Sequence, residues 1–172
     1  MSTSSTAELF LAFSRQKLLD QYWPRLRACV ELLNDEQVWW RPNPSSNSVG
    51  NLVLHLDGNV RQWLVASFRG ESDARNRPAE FSSAGGIAAK ELLAKLDATL
   101  EEAAAVLGEL TENELRSAYE IQGYHVTGLD AVYQVVEHFG LHYGQIAYIT
   151  KMLKDQDLGF YKELNRTGRA IG

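Results

Sequence analysis

Apolar residues recur at the helical period in four long stretches of this chain, and a fifth, short stretch alternates instead. In 6–33, Leu9, Phe10, Phe13, Leu18, Leu19, Tyr22, Leu26, Val30 and Leu33 fall near the 3.6-residue period and predict an amphipathic helix, capped by Ser4, Ser5 or Thr6. Pro24 interrupts the pattern. It removes a backbone donor and crowds the preceding turn, so a kink or break is expected near Tyr22 and Trp23. Asn34 or Asp35 caps a short turn that ends before Pro42, and 42–47 is a loop by its turn residues. The adjacent Trp39 and Trp40 are expected to close one end of the helical assembly, a partner surface being the other reading.

The second long stretch, 48–69, is capped by Asn47 or Ser48 and directs Leu52, His55, Leu56, Val60, Trp63, Leu64 and Phe68 inward. Segment 70–86 is rich in Gly, Ser, Arg, Asp and Asn. Connections beyond about 12–15 residues are uncommon, and this one is expected to cover an opening in the fold. The third helix is expected over 87–107, with a frayed end to 110 and an apolar stripe of Leu92, Leu93, Leu96, Leu100, Ala103, Ala104 and Leu107. Thr111 and Glu114 form a capping-box pattern for one further turn. Segment 119–126 alternates around Gly123 and predicts a short hairpin or extended loop. The last helix starts after Thr127, which forms a second capping box with Asp130, and runs to about Lys154. A tail, 155–172, is expected to pack locally through Leu158, Phe160 and Tyr161 or to be ordered by a second subunit. Four long amphipathic segments with one extended interruption predict an all-α four-helix bundle in a single domain, 1–172.

Composition narrows the functional classes. The chain has 172 residues, 45% hydrophobic and 23% charged, with a formal net charge of -5. An acidic balance argues against counterion-releasing contact with nucleic acid and fits poorly to an anionic membrane surface. The single cysteine, Cys29, excludes an intrachain disulfide framework and, as a small hydrophobe within a helix, fits a reducing cytosol. No signal peptide or membrane-spanning run is recognisable, so the expected setting is the cytoplasm.

Two of the four histidines, His138 and His142, stand four residues apart on the last helix and project from one face, on a stripe with Ala131, Val135, Gln145, Ile149 and Leu153. Histidines at this spacing can share a metal ion. His55 supplies an inward third ligand from the second helix. Three neutral imidazoles in a core without an ion would leave several ring nitrogens needing partners. The other reading is core histidines satisfied by hydrogen bonds. Phe139 stands where a zinc protease carries its glutamate, so that mechanism is set aside. Three ligands with an open fourth position are the catalytic arrangement for zinc, while all-imidazole ligation also suits nickel, copper or ferrous iron. Ser48, Asn51, His55, Asn59 and Gln62 form a polar line on the second helix, expected to border a wet pocket. Gln145 is placed to orient a ligand or touch substrate. Glu137 is either an acceptor for an imidazole N–H or exposed. Tyr124 and His125 are candidates for the pocket mouth, although His125 reads first as a surface histidine in a loop. Gly140 and Gly144 are expected to admit a close neighbour.

The runs Ser48-Val49-Gly50-Asn51-Leu52-Val53-Leu54-His55-Leu56 and His138-Phe139-Gly140-Leu141-His142-Tyr143-Gly144-Gln145-Ile146, with Trp40-Arg41-Pro42 before the second helix, resemble the DinB-like (DNA-damage-inducible) metalloprotein family, in particular an uncharacterised bacterial subgroup of it. The resemblance spans nearly the whole chain. It implies an up-down-down-up four-helix bundle, a divalent metal (zinc or nickel first) on His55, His138 and His142, and a homodimer. Relatives in that family include bacillithiol S-transferases and mycothiol-dependent maleylpyruvate isomerase. The expected function is therefore a metal-dependent enzyme acting on a small molecule, such as a low-molecular-weight-thiol S-transferase. A metal-dependent hydrolase and a non-catalytic metal-binding scaffold or sensor are the alternatives.

Overall fold

The computed structural model describes residues 4–162. Four long helices make the bundle. Helix α1 runs Thr6–Arg15, widens to π-helical winding over Gln16–Tyr22, and continues as Trp23–Glu31. Ser5 caps it through a reciprocal bond pair with Glu8. The helix is not broken before Pro24. The wide turn, in which the Trp23 N–H donates to the Leu18 carbonyl, lets the chain pass proline without ending the helix. The extra residue in that turn shifts the phase of the apolar stripe. Leu9 and Phe13, predicted on it, are largely exposed, while Leu11 and Leu18 are buried.

A short helix α2, Asp35–Trp39, is capped by Asn34. Helix α3 starts at the Ser48 cap, runs Val49–Val60, passes through a second π-helical stretch at Arg61–Ala66 and ends as Ser67–Arg69. Gly70 takes a left-handed conformation (φ 66°), and the Glu71 N–H closes back on the Ala66 carbonyl at 2.9 Å. The following connection contains a helix that periodicity did not reveal, α4, Arg77–Ser82, capped by Asn76 with Pro78 in its first turn. Helix α5 spans Ala89–Glu109, its Ala89 N–H accepted by Asp35 of α2 at 2.8 Å. The one-turn helix α6, Glu112–Arg116, leads into an antiparallel hairpin, β1 Ala118–Ile121 and β2 Tyr124–Thr127. Gln122 and Gly123 both take positive φ at its tip, the two-residue turn that matches strand twist. Helix α7, Gly128–Lys154, completes the bundle.

Side-chain contacts fix the topology. Asp57 meets Lys95 and Thr99, and Arg61 meets Glu102, so α3 and α5 run parallel. Trp23 donates to Asp97 while Leu33 and Ala89 border one cleft, so α1 and α5 are antiparallel. His55 meets His138, and Trp63, farther along α3, lies tilted beside Tyr124 of β2, the strand that leads into the start of α7, so α3 and α7 are antiparallel. The order is up-down-down-up, and connection 70–88 is the crossover that two parallel consecutive helices require. Leu18, Leu26, Val30, Leu56, Leu64, Leu92, Leu96, Leu100, Phe139 and Ile146 are fully buried at its centre. Trp39 is half-buried with its indole N–H on the Ile87 carbonyl, closing the bundle end, whereas Trp40 is 37% exposed. Leu158 and Phe160 of the tail pack on the core and Tyr161 is exposed. Arg166 and Arg169 of the expected tail lie outside the described residues. No helix among the described residues is long and apolar enough to cross a membrane.

Candidate metal centre

Helices α3 and α7 bring the three predicted histidines together. His55 Nε2 lies 3.0 Å from His138 Nε2, and His142 Nε2 lies 3.1 Å from the same atom. The rings meet edge to face, with centroids 4.4–5.0 Å apart. His55 is buried. His138 and His142 are half-buried, on the shoulder of the α7 stripe rather than at its centre, which is taken by Val135, Phe139 and Ile146. Gly140 has a local cause: a Cβ there would stand 3.0 Å from the Tyr22 ring, which stacks on Phe139 and Tyr143. Gly144 faces open space, so the expected close neighbour is found only at Gly140.

The outward ring nitrogens show how two of the histidines are oriented. His55 Nδ1 donates to Glu80 Oε2 at 2.8 Å, and His142 Nδ1 donates to Gln145 Oε1 at 2.7 Å. In the neutral rings both Nε2 atoms then carry lone pairs directed at His138 Nε2, which holds one proton at most. One of the two contacts is left as lone pair against lone pair. A cation where the three nitrogens converge removes that conflict. Ligand distances of about 2.0–2.1 Å at angles of roughly 90–110° put bound nitrogens about 2.9–3.4 Å apart, which is the separation of His138 Nε2 from each of the other two, while all three atoms lie within 4.8 Å of one another. Among the described residues these three form the group able to share an ion. The donor set therefore fits a divalent transition metal.

Electrostatics favour the ligating form. Burial, then the neighbouring His142 and His55 and the Arg75 and Arg77 charges, pushes the His138 imidazolium down to about 3. Burial lowers His142 as well, against the opposing Gln145 hydrogen bond. Both rings are neutral, with lone pairs available, at ordinary pH. Burial alone would raise the Glu80 carboxyl, but the hydrogen bonds from His55 and Arg75 outweigh it and hold Glu80 below the usual range. A carboxylate behind a ligating histidine fixes its tautomer and raises its basicity.

Glu80 and Arg75 come from the crossover and carry no periodic signal. Arg75 makes a fork onto Glu80, Nε to Oε1 at 2.7 Å and Nη2 to Oε2 at 2.9 Å, with Nη1 on Gln62 Oε1 at 2.9 Å. The pair is buried. Gly58 makes room for it, since a Cβ at that position would collide with the Glu80 carboxylate and Arg75. Phe81 tilts over the His55 ring with centroids 4.7 Å apart, and Arg77 stacks on its outer face. The sequence signal that was available is Asn76 ahead of Pro78, a helix start that puts Glu80 and Phe81 on one short helix.

The polar line on α3 is covered by this crossover rather than by open water. Asn51 Nδ2 donates to the Glu80 and Ser83 carbonyls at 2.8 Å each, and Asn51 Oδ1 accepts from Arg41 at 2.8 Å. Arg41 also donates to the Phe81 and Ser83 carbonyls, so the Trp40-Arg41-Pro42 run fastens the crossover. Gln62 holds Arg75 and bonds Asp73. Asn59 is buried with Oδ1 unpartnered. Gln145 is exposed apart from its bond to His142, and Glu137 is exposed. His125 is exposed on β2 opposite Glu120, and Tyr124 is exposed beside Trp63. A cavity of about 520 Å³ backs onto the Arg75–Glu80 side, and another of about 670 Å³ between loop 42–47 and α7 includes Gln145. Neither is lined by a histidine.

The profile of a family described as "Protein of unknown function (DUF1572)" matches residues 5–163. The chain belongs to that family. Its fold is DinB-like: a DinB-like protein from Bacillus subtilis superposes with a TM-score of 0.65 at 18% identity, over 88% of this chain and 96% of that one. A conserved protein from Enterococcus faecalis gives a TM-score of 0.71 at 15% identity, over 84% of this chain and 97% of that one. No curated protein matches.

Proposed function

We propose that His55, His138 and His142 of this DUF1572 member hold one divalent transition metal, zinc or nickel first, and that the centre serves an enzyme acting on a small molecule. The observation that carries the reading is the convergence of three Nε2 atoms, two of them lone-pair acceptors fixed by Glu80 and Gln145. Three neutral ligands leave the metal its full charge and at least one position free, which is the catalytic rather than the structural pattern. Bound there, the metal supplies a Lewis acid that lowers the pKa of a coordinated thiol or water.

The reaction class favoured is transfer of a low-molecular-weight thiol to an electrophile. Glu80 and Arg75 hold His55, Gln145 holds His142, and Phe81 shields the His55 side from water. The alternative hydrolase would use the same centre on water. Incubating the metal-loaded protein with a thiol panel and an electrophile decides between them: thiol consumption that disappears in His138→Ala supports the transferase, and electrophile hydrolysis at unchanged thiol concentration supports the hydrolase. The non-catalytic scaffold draws on the exposed apolar Leu141, Tyr148 and Met152 of α7, which also support a homodimer. Sedimentation tests the dimer. The cytoplasm is the setting proposed, on the single buried Cys29.

A further inference from the structure

Five buried side-chain polar atoms lack a hydrogen-bond partner among the described residues: Asn59 Oδ1, Trp63 Nε1, Gln134 Oε1, His138 Nδ1 and Thr150 Oγ1. One of them, His138 Nδ1, belongs to the histidine centre, and three others flank it. Asn59 and Trp63 follow His55 by one and two turns on α3, and Gln134 precedes His138 by one turn on α7. Because the two helices are antiparallel, these three lie on the same side of the centre. The set is chemically complementary. Trp63 Nε1 is a donor, the two amide oxygens are acceptors, and His138 Nδ1 becomes a donor whenever Nε2 gives up its lone pair to a metal.

On each helix the donor stands four residues C-terminal to an acceptor. Helical side chains lean toward the N-terminus, so each ring lies over the turn that carries its acceptor. His142 shows this lean, its Nε2 reaching His138 one turn earlier at 3.1 Å. The other two histidines already have an oxygen on Nδ1, Glu80 for His55 and Gln145 for His142. His138 alone of the three has none, and a free buried acceptor stands one turn away.

We propose that Gln134 is the positioning residue of His138: with His138 Nε2 on a metal, the ring proton sits on Nδ1 and Gln134 Oε1 accepts it. This rests on the metal reading above. Residues four apart on a helix have Cβ atoms about 5–6 Å apart, so rotation of the Gln134 side chain suffices.

The test is a zinc competition titration of the wild type, Gln134→Met, Gln134→Glu and Asn59→Leu. Loss of the acceptor in Gln134→Met is expected to weaken zinc binding about 10–100-fold, as removal of such partners does elsewhere. Gln134→Glu, which restores an acceptor, is expected to bind as tightly as the wild type or tighter, a rescue that a packing role would not give. Asn59→Leu is expected to leave the affinity nearly unchanged. In the zinc-loaded wild type, a slowly exchanging His138 Nδ1–H resonance with a cross-relaxation peak to Gln134 gives the same answer without a variant. Zinc affinity of Gln134→Met equal to that of the wild type, or a loss confined to Asn59→Leu, overturns the assignment while leaving the metal centre standing. A wild type that takes up no zinc overturns the metal reading and this inference together.

Discussion

Replacing Glu80 by glutamine tests the link between the crossover and the centre. The carboxylate accepts His55 Nδ1–H and Arg75 Nη2–H on Oε2, and Arg75 Nε–H on Oε1. The amide keeps one acceptor oxygen and presents an NH2 group to the remaining donors. Arg75, whose side chain is 5% exposed, then keeps its charge with no carboxylate on it, beside only neutral acceptors: the remaining amide oxygen, Gln62 Oε1 and the His55 carbonyl. Leaving one member of a buried pair uncompensated costs about 3–5 kcal/mol. The residual Gln62 contact places the expected loss near 3 kcal/mol, measured on apo protein by urea unfolding in the presence of chelator. A domain of this size retains enough of a total of about 5–15 kcal/mol to stay folded. Loss of the carboxylate behind His55 is expected to lower zinc affinity about 10–100-fold, read by competition titration. The double variant Glu80→Leu/Arg75→Met removes both charges and is expected to recover most of the stability but none of the affinity. Apo stability within about 0.5 kcal/mol of wild type, which is surface-substitution behaviour, together with unchanged zinc affinity in Glu80→Gln, would refute the reasoning.

Other outcomes follow from the same geometry. Gly58→Ala places a methyl against the Glu80 carboxylate and Arg75 and is expected to lower both apo stability and zinc affinity, whereas Gly144→Ala, facing open space, is expected to change neither for the worse. Apo protein is expected to lose stability as pH falls from about 6.5 toward 3, because the unfolded His138 takes up a proton in that window while the folded ring, held at about 3, does not. Chelated protein unfolded thermally across that range checks the sign, and a stability that rises on acidification would contradict it. Burial pushes the Cys29 thiol up to about 11, so a disulfide reagent is expected to label it only on unfolding, with prompt labelling of native protein as the contrary result.

The helices were legible because their signals are local. Ser5, Asn34, Ser48, Thr111 and Thr127 all cap the helices that their spacing predicted. Parallel α3 and α5, implied by family resemblance, follow in the structure from paired charges that no single-helix pattern contains. The phase of α1 was not legible: the π-helical turn ahead of Pro24 rotates the stripe, which is why Leu9 and Phe13 face outward. The faces of their helices single out His55, His138 and His142, but the same periodicity makes the polar line beside His55 look like a pocket wall. It is the seat of the crossover, and only the tertiary fold brings Arg75, Glu80 and Phe81 back onto α3. Glu80 lies 25 positions from His55 in the chain, a separation at which periodicity carries no information.

The central claim is that three histidines share one metal ion, and metal content tests it most directly. Protein purified without a histidine tag, reloaded with zinc or nickel and desalted, is analysed beside His55→Ala, His138→Ala and His142→Ala. The account predicts close to one metal per wild-type chain and a loss of most of it in each variant. A wild type that retains only a trace after reloading, or variants that keep as much as the wild type, would contradict it.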